Sequence, residues 1–189
     1  MKKLISVNSD KNFSVKLLGK NLFTYYNHFI MELSKDTAKF CCAEDNVVSK
    51  VMTDEVIDQC TDSEFDNKNM KNLKSECPDQ FLGVALYIDE KLAGYLCGLK
   101  PEYKDRNYHI KNCEFYVKYV YVYEEFRGRR LTSELFRQLF LNYDITRVVF
   151  SVRKNNEIAL KAYKRIGAKV IANKKFARVL RLTLPYYKI

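Results

Sequence analysis

The most constraining feature of this chain is a twenty-residue stretch near its C-terminus, residues 148–167. An apolar run at 148–152 leads into an asparagine, then an amphipathic segment, and finally Gly167. The run predicts a buried strand, and the apolar spacing over 157–166 predicts a helix that the glycine ends. The stretch therefore predicts a β-α unit in which Asn156 and Tyr163 stand on one side of a cleft.

The bulk composition is typical of one folded domain, expected to span residues 1–189. Hydrophobic residues make up 47% of the chain and charged residues 30%, which excludes intrinsic disorder. No apolar run approaches the ~18 residues that cross a bilayer, so no membrane association is expected. Six cysteines without a C-x-x-C pair, and only two histidines, argue against a metal site. We expect free thiols and a cytoplasmic location.

Positive charge is concentrated in the second half of the chain. Residues 1–100 contain 13 basic and 15 acidic side chains, whereas residues 101–189 contain 20 and 8. This excess indicates either a solvated surface or a polyanionic ligand, such as a phosphorylated cofactor or nucleic acid. Nucleic acid is disfavoured because the tyrosines of 116–123 fall in a strand that should be largely buried, whereas single-strand binders expose their aromatic residues.

Periodicity and turn residues predict the order β-α-α-β-β-β-α-β-α-β-β, a mixed α/β sheet flanked by helices. Strands are expected at 14–18, 81–88, 92–99, 114–123 and 147–152. Helices are expected at 21–34, 51–60, 132–141 and 157–166, and the polar residues 61–79 are expected to form a long loop. A final hairpin is expected from strands at 169–172 and 176–184.

A second segment, residues 120–135, predicts an anion-binding turn. A strand ends, Arg127-Gly128-Arg129-Arg130 follows, and an amphipathic helix begins. Free amides at a helix start attract anions, and arginine forks match phosphate oxygens. The spacing alone equally fits a basic turn in solvent. Likewise, Asn156 is suited either to a peptide-like ligand or to capping the next helix, and Tyr163 either to proton transfer or to packing.

Together these segments resemble the GNAT superfamily of acyl-CoA-dependent N-acyltransferases. The motif N-x-x-A-x-x-x-Y-x-x-x-G is matched by Asn156, Ala159, Tyr163 and Gly167. The cofactor motif is matched in part, because Arg130 and Thr132 stand where two glycines are usual. The resemblance covers roughly residues 13–184. It implies a mixed, mostly antiparallel central sheet of about seven strands with about four helices.

The resemblance implies an N-acetyltransferase that moves an acetyl group from acetyl-CoA to a primary amine by direct attack in a ternary complex. It further implies that the backbone of Val120 and Val122 pairs with the pantetheine arm, which Asn156 also contacts. Tyr163 would protonate the departing thiolate. The pyrophosphate would be cradled by the amides of the turn, namely Arg127, Gly128, Arg129, Arg130, Leu131 and Thr132.

The acceptor amine needs a base, and family members often use a carboxylate on the long central strand. Glu114 is the candidate, with Glu124 and Glu125 as alternatives. Tyr116 or Tyr119 is suited instead to orienting a water, and Glu114 equally fits an ordinary strand-end carboxylate.

The resemblance implies that the N-terminal helices and the adjoining loop cover the acceptor side. The acidic segment 41–80, with ten acidic and four basic residues, would then favour a cationic acceptor. The competing hypothesis is a catalytically weak or inactive fold relative that binds CoA or acts as a sensor. Homodimerisation through exposed edge strands is compatible with either hypothesis.

Overall fold

The computed structural model describes residues 5–6, 14–17, 20–41, 46–60, 64–100, 114–179 and 182–185. The helices within these ranges are α1 (Asp54–Gln59), α2 (Glu64–Glu76), α3 (Leu131–Asn142) and α4 (Glu157–Arg165). The strands are β1 (Ile5–Ser6), β2 (Ser14–Leu17), β3 (Lys20–Ser34), β4 (Val47–Val51), β5 (Phe81–Ile88), β6 (Lys91–Leu99), β7 (Glu114–Val122), β8 (Arg147–Arg153), β9 (Lys169–Val179) and β10 (Leu182–Pro185). No helix in these ranges is long and apolar enough to cross a bilayer.

The strands form one mixed sheet, which confirms the predicted fold class. Seven of them make the body of the sheet in the lateral order β4-β5-β6-β7-β8-β3-β9. The short strands β1, β2 and β10 extend it. Only β7 and β8 are parallel neighbours among the described pairs, and the other pairs are antiparallel.

Hydrophobic residues cover both faces of this sheet. On one face, α3 and α4 enclose a core that includes Leu135, Phe136, Phe150 and Tyr163. On the other face, α1 and α2 cover a second cluster around Ile57, Met70, Tyr87 and Tyr95. When a sheet is covered on both faces, the sequences of its strands are nearly continuous apolar runs. Phe81–Ile88 is an example.

The predicted helix at 21–34 is wrong, because this segment forms the fifteen-residue strand β3. Ile30, Met31 and Leu33 are all fully buried, since β3 lies between β8 and β9 and faces core on both sides. Because both faces of such a strand are apolar, its apolar residues match helical spacing as well as strand alternation. Periodicity alone therefore assigns the segment wrongly to a helix. Its aromatic and β-branched content favours the strand.

The predicted loop at 61–79 is also wrong, because Glu64–Glu76 forms α2. The helix is polar and buries Met70 against α1, so it lacks the apolar stripe that marks a helix in sequence. Asn67 Nδ2 donates to Ile57 O at 2.7 Å and thereby satisfies a carbonyl near the end of α1. The predicted helix at 51–60 is confirmed in shorter form as α1.

The predicted turn at 173–175 is wrong as well, since β9 runs through it without interruption. Residues 173–175 pair along β3, so a long antiparallel partner overrides the local turn signal. The strand at Val47–Val51, which the sequence analysis did not identify, is an edge strand paired with β5. The described cysteines Cys41, Cys60, Cys77 and Cys97 are free thiols, whereas Cys42 and Cys113 lie outside the described residues.

Candidate active site

The parallel strands β7 and β8 separate halfway along their length. They pair from Glu114 opposite Arg147 to Val117 opposite Phe150. At the next residue, Lys118, the register of β7 against β6 shifts, because Cys97 lies opposite Tyr119 and Gly98 opposite Val117. Such a β-bulge bends its strand. The register shift coincides with the end of β7–β8 pairing, which leaves a gap in the sheet.

The backbone of β7 beyond the bulge presents hydrogen-bonding groups to this gap. Tyr123 N donates to Ala93 O on the β6 side at 3.0 Å. Because successive residues of a strand direct their backbone groups to opposite sides, Val120 and Val122 direct theirs away from β6. Arg127 Nε already donates to Val122 O at 3.2 Å. The gap therefore has a strand edge along which an extended ligand could pair.

The turn after β7 leads into α3 through left-handed backbone. Gly128 has φ +86°, and the N-cap residue Arg130 has φ 60° and ψ 19°. Arg130 thus adopts the conformation that glycine usually supplies, at a cost of about 1–2 kcal/mol for a residue with a Cβ. It provides no side-chain cap to the helix. Within the described residues, the amides of Leu131 and Thr132 have no protein acceptor.

A cavity of about 360 Å³ lies at the start of α3, between the turn and α4. Its lining contains four cations and, among the described residues, no carboxylate. The cations are Arg127, Arg130, Lys161 and Arg165. Cys41 borders it too, held at α3 by Ser133 Oγ, which accepts from the Cys41 amide at 3.0 Å. Free amides, the positive end of a helix dipole and the cations together suit a phosphate-bearing group.

The helix α4 is held at both ends by the residues of the matched motif. Asn156 Oδ1 accepts from Ala159 N at 3.1 Å, so this side chain does cap the helix and leaves its amide NH₂ group to the adjacent cavity. At the other end Gly167 has φ +96°, and a Cβ there would lie 2.9 Å from Thr37 O. Glycine is therefore required on two grounds, left-handed backbone and close approach.

Tyr163 faces inward from α4 against aromatic neighbours. Its ring centroid lies 4.6 Å from that of Phe150 and 6.0 Å from that of Phe136. The side chain is only 9% exposed, and burial raises the pKa of Tyr163 to about 12. The phenol is therefore fully protonated at neutral pH, and its immediate surroundings are apolar.

A second cavity, of about 340 Å³, lies at the gap between β7 and β8. Tyr163, Asn156 and Ala159 line it from α4, and Val120 lines it from β7. Val122 borders the first cavity, two residues further along the same strand edge. The two cavities thus follow one another along β7 and α4, as the subsites of an extended ligand would.

Most of the residues singled out in the sequence line these two cavities. The first contains Val122, Arg127, Gly128, Arg130, Leu131 and Thr132, and the second contains Val120, Asn156 and Tyr163. Arg129 lines neither, and its guanidinium carbon lies 5.8 Å from the centroid of the Phe126 ring. Their roles in binding and catalysis stay predictions.

Glu114 is not brought to either cavity. It lies at the paired end of β7, is 1% exposed, and forms an ion pair with Arg147. Arg147 also pairs with Glu32 at 3.0 Å. The carboxylate is thus committed to a guanidinium on the neighbouring strand, and its proposed role as a base stays a prediction.

The sequence analysis did not single out Lys161 and Arg165 of the first cavity, nor His28 of the second. His28 lies on β3 and lines the second cavity together with Tyr163. No local motif marks it, and its segment was assigned to a helix. His28 is brought to the gap by the pairing of β3 with β8, in which it lies opposite Arg153, a residue far along the chain.

Replacing Arg130 with glycine should stabilise the protein by about 1 kcal/mol, since glycine adopts the left-handed conformation without steric cost. The free energy of unfolding in urea measures this change. Arg130→Ala is the matched control, because it removes the same charge but keeps the Cβ. A glycine variant no more stable than the alanine variant would contradict the prediction.

Three solved structures illustrate the likeness of the fold. A tandem GNAT protein from the clavulanic acid biosynthesis pathway superposes with a TM-score of 0.63 at 13% identity, covering 85% of this chain and 53% of that one. A functionally unknown conserved protein from Staphylococcus epidermidis gives 0.58 at 12% identity, covering 82% and 61%. The aminoglycoside 6'-N-acetyltransferase AAC(6')-Ih from Acinetobacter baumannii gives 0.50 at 12% identity, covering 64% and 89%. At these identities the comparison establishes the fold alone.

Sequence comparison establishes the family. The model of the acetyltransferase (GNAT) family matches residues 50–168, which is more than half of the chain. A search among curated proteins finds no significant match. The chain therefore belongs to the acetyltransferase (GNAT) family. It spans 53% and 61% of the first two solved structures described above.

Proposed function

We propose that the protein transfers an acetyl group from acetyl-CoA to a primary amine by direct attack in a ternary complex. The observation that carries this proposal is the pair of consecutive cavities along β7 and α4, one cationic at a helix start and one beside a buried phenol. One structural neighbour at 10% identity, AAC(6')-Iy, was solved in complex with the bisubstrate analogue CoA-S-monomethyl-acetylneamine.

In this proposal the first cavity holds the pyrophosphate. The unpaired amides of Leu131 and Thr132 donate to it, and Arg127 and Arg130 supply positive charge. The left-handed backbone at Arg130 supports this role, because it turns the chain as glycine would. The edge of β7 at Val120 and Val122 pairs with the amides of the pantetheine arm, and Asn156 Nδ2 donates to the same arm.

The second cavity holds the thioester beside Tyr163. Attack by the amine nitrogen forms the new C–N bond, the C–S bond breaks, and the Tyr163 hydroxyl protonates the departing thiolate. A phenol with a pKa of about 12 is a weaker acid than a free one. However, burial raises the pKa of a thiol as it raises that of a phenol, so the pKa values of donor and acceptor stay close on the apolar α4 side of the cavity.

The acceptor is proposed to be a cationic amine, on the evidence of the acidic segment 41–80. Part of this negative charge is neutralised within the protein, as Lys74 pairs with Asp54 at 2.8 Å. The helices α1 and α2 that carry these groups lie on the sheet face opposite α4. An acceptor would therefore approach the gap from the face opposite Tyr163.

Two measurements test the proposed function together. Calorimetry with acetyl-CoA should give a micromolar dissociation constant that weakens with salt, since phosphate contacts to surface cations are screened. Thiol release from acetyl-CoA should then increase with amines from a panel of polyamines, lysine peptides, aminoglycosides and neutral amines, most with the cationic members. Binding without amine-dependent thiol release would indicate a CoA-binding protein instead of an enzyme.

A further inference from the structure

His28 and Tyr163 lie on opposite faces of the sheet at the same gap. In the antiparallel register of β3 and β8, Phe29 lies opposite Val152 and His28 opposite Arg153. Phe29 and Val152 pack in the core beneath α3 and α4, together with Tyr163. Because side chains alternate along a strand, His28 and Arg153 point to the other face.

The second cavity joins the two faces. From the α4 face it is lined by Tyr163, Ala159 and Val120, and from the opposite face by His28, Ser151, Arg153 and Lys118. This is possible because the parallel pairing ends at Val117 and Phe150, so no ladder closes the sheet beyond that point. A thioester in the gap would have Tyr163 on one side and His28 on the other.

Within the part of the chain that the structure describes, the charged groups placed beside His28 are cations. Arg153 faces it from β8 and Lys174 from β9, both in register with it. Lys118 joins it from β7, with the ammonium 4.8 Å from the centroid of the Tyr116 ring. Burial first, and the charge of Arg153 second, lower the pKa of His28 from its ordinary value of 6.5. The imidazole is therefore predominantly neutral at pH 7, which is the form that accepts a proton.

We propose that His28 is the catalytic base that takes the proton from the acceptor amine, on the face of the sheet opposite the acid Tyr163. This inference rests on the proposed function. The neutral form of the acceptor amine attacks the carbonyl carbon, and the N–H proton that its nitrogen then loses passes to the imidazole nitrogen, directly or through one water. The electron pair of the broken C–S bond stays on sulfur, which takes the Tyr163 proton. Exchange with water afterwards deprotonates His28 and reprotonates Tyr163, so both residues return to their starting state.

This arrangement separates the two proton transfers by the thickness of the sheet. The amine approaches from the face that carries α1 and α2, and the thiolate leaves toward α4. Each proton transfer thus has its own group on its own face. Glu114 is not placed in this way, since it lies at the paired end of β7 against Arg147.

The test compares His28→Gln with two matched variants, Glu114→Gln and Lys174→Gln. Lys174 lies in register with His28 but is exposed and lines neither cavity. Thiol release from acetyl-CoA is measured first with water as the only acceptor and then with the amine panel, and calorimetry with CoA is run on each variant.

His28→Gln should lower kcat by about 100-fold or more with CoA affinity unchanged. Lys174→Gln should leave kcat within about 2-fold, since a solvated surface charge contributes little.

Two further readouts separate catalysis from a structural role. Free imidazole added to His28→Ala should restore part of the thiol release, which a packing defect would not allow. In the wild type kcat should fall as pH drops through a pKa below 6.5, because the protonated imidazole cannot accept a proton. This acid limb should vanish in His28→Gln.

The outcomes distinguish the inference from the function it rests on. If the wild type releases no thiol with water or with any amine, the proposed function fails and His28 has no reaction to serve. If the wild type is active and His28→Gln equals it, or if Glu114→Gln alone abolishes turnover, the assignment of His28 is overturned. If His28→Gln loses both turnover and CoA binding, His28 holds the gap open and is not the base.

Discussion

Replacing Tyr163 with phenylalanine should lower kcat by about 100-fold or more while leaving KM for acetyl-CoA nearly unchanged. The substitution removes only the hydroxyl, so the ring contacts with Phe136 and Phe150 remain. General acid catalysis typically contributes about 10²- to 10⁴-fold, and an interaction made only in the transition state appears in kcat instead of KM. Thiol release under saturating acetyl-CoA and amine measures the effect.

The control for this variant is its stability. Tyr163 is buried mainly among apolar neighbours, so loss of the hydroxyl should change Tm by only a few degrees, since a typical single substitution costs about 1 kcal/mol. The raised pKa of about 12 also predicts that kcat of the wild type does not decline between about pH 7 and 10. Equal turnover of Tyr163→Phe and the wild type would reduce Tyr163 to a packing residue.

Replacing Arg147 with methionine should destabilise the fold by about 3 kcal/mol. The guanidinium bridges Glu114 on β7 and Glu32 on β3, and the Glu114 side chain is fully buried. Removing one partner of a buried ion pair leaves an uncompensated charge, which typically costs about 3–5 kcal/mol. We take the lower end because Arg147 is about one third exposed. In a chain of this size the expected fall in Tm is about 10 °C.

A double variant provides the matched control. Glu114→Gln combined with Arg147→Met removes the buried charge as well as its partner, and it should recover most of the lost stability. Urea unfolding of the two single variants and the double variant gives the coupling energy of the pair. Additive losses, with no recovery in the double variant, would show that Arg147 acts through packing of its side-chain stem and not through charge.

The part of the fold that could be predicted from sequence is the part with strong local patterns. The hairpin of β5 and β6, the strand β7 and the units α3-β8-α4 each have clear periodicity bounded by turn residues, and all are found near their expected bounds. The same local signals led to Asn156, Tyr163 and the Arg127–Thr132 turn, because each belongs to one short motif. Residues whose structural roles depend on neighbours a few positions away can be recognised as a local sequence motif.

The remainder depends on contacts between distant segments. β3 fits a helix by spacing and becomes a strand only because β8 and β9 lie on either side of it. α2 is specified by two ion pairs, a carbonyl contact from Asn67 and one buried methionine, none of which produces an apolar stripe. His28 was missed for the same reason. Its environment is created by β8, β9 and the bulge in β7, and none of these can be read from residues near it.

The position of β3 has a consequence for how the sheet is completed. β9 reaches the rest of the sheet through β3 and has no described pairing with β8, so residues 20–34 must pair with β8 before β9 can join the sheet. Pairings separated by about 150 residues form late, because the intervening chain must first be closed into a loop. Residues 50–168, the span that matches the family, would by themselves leave one side of β8 as an unprotected strand edge. Such an edge is prone to association with other chains, and β3 prevents this by covering β8.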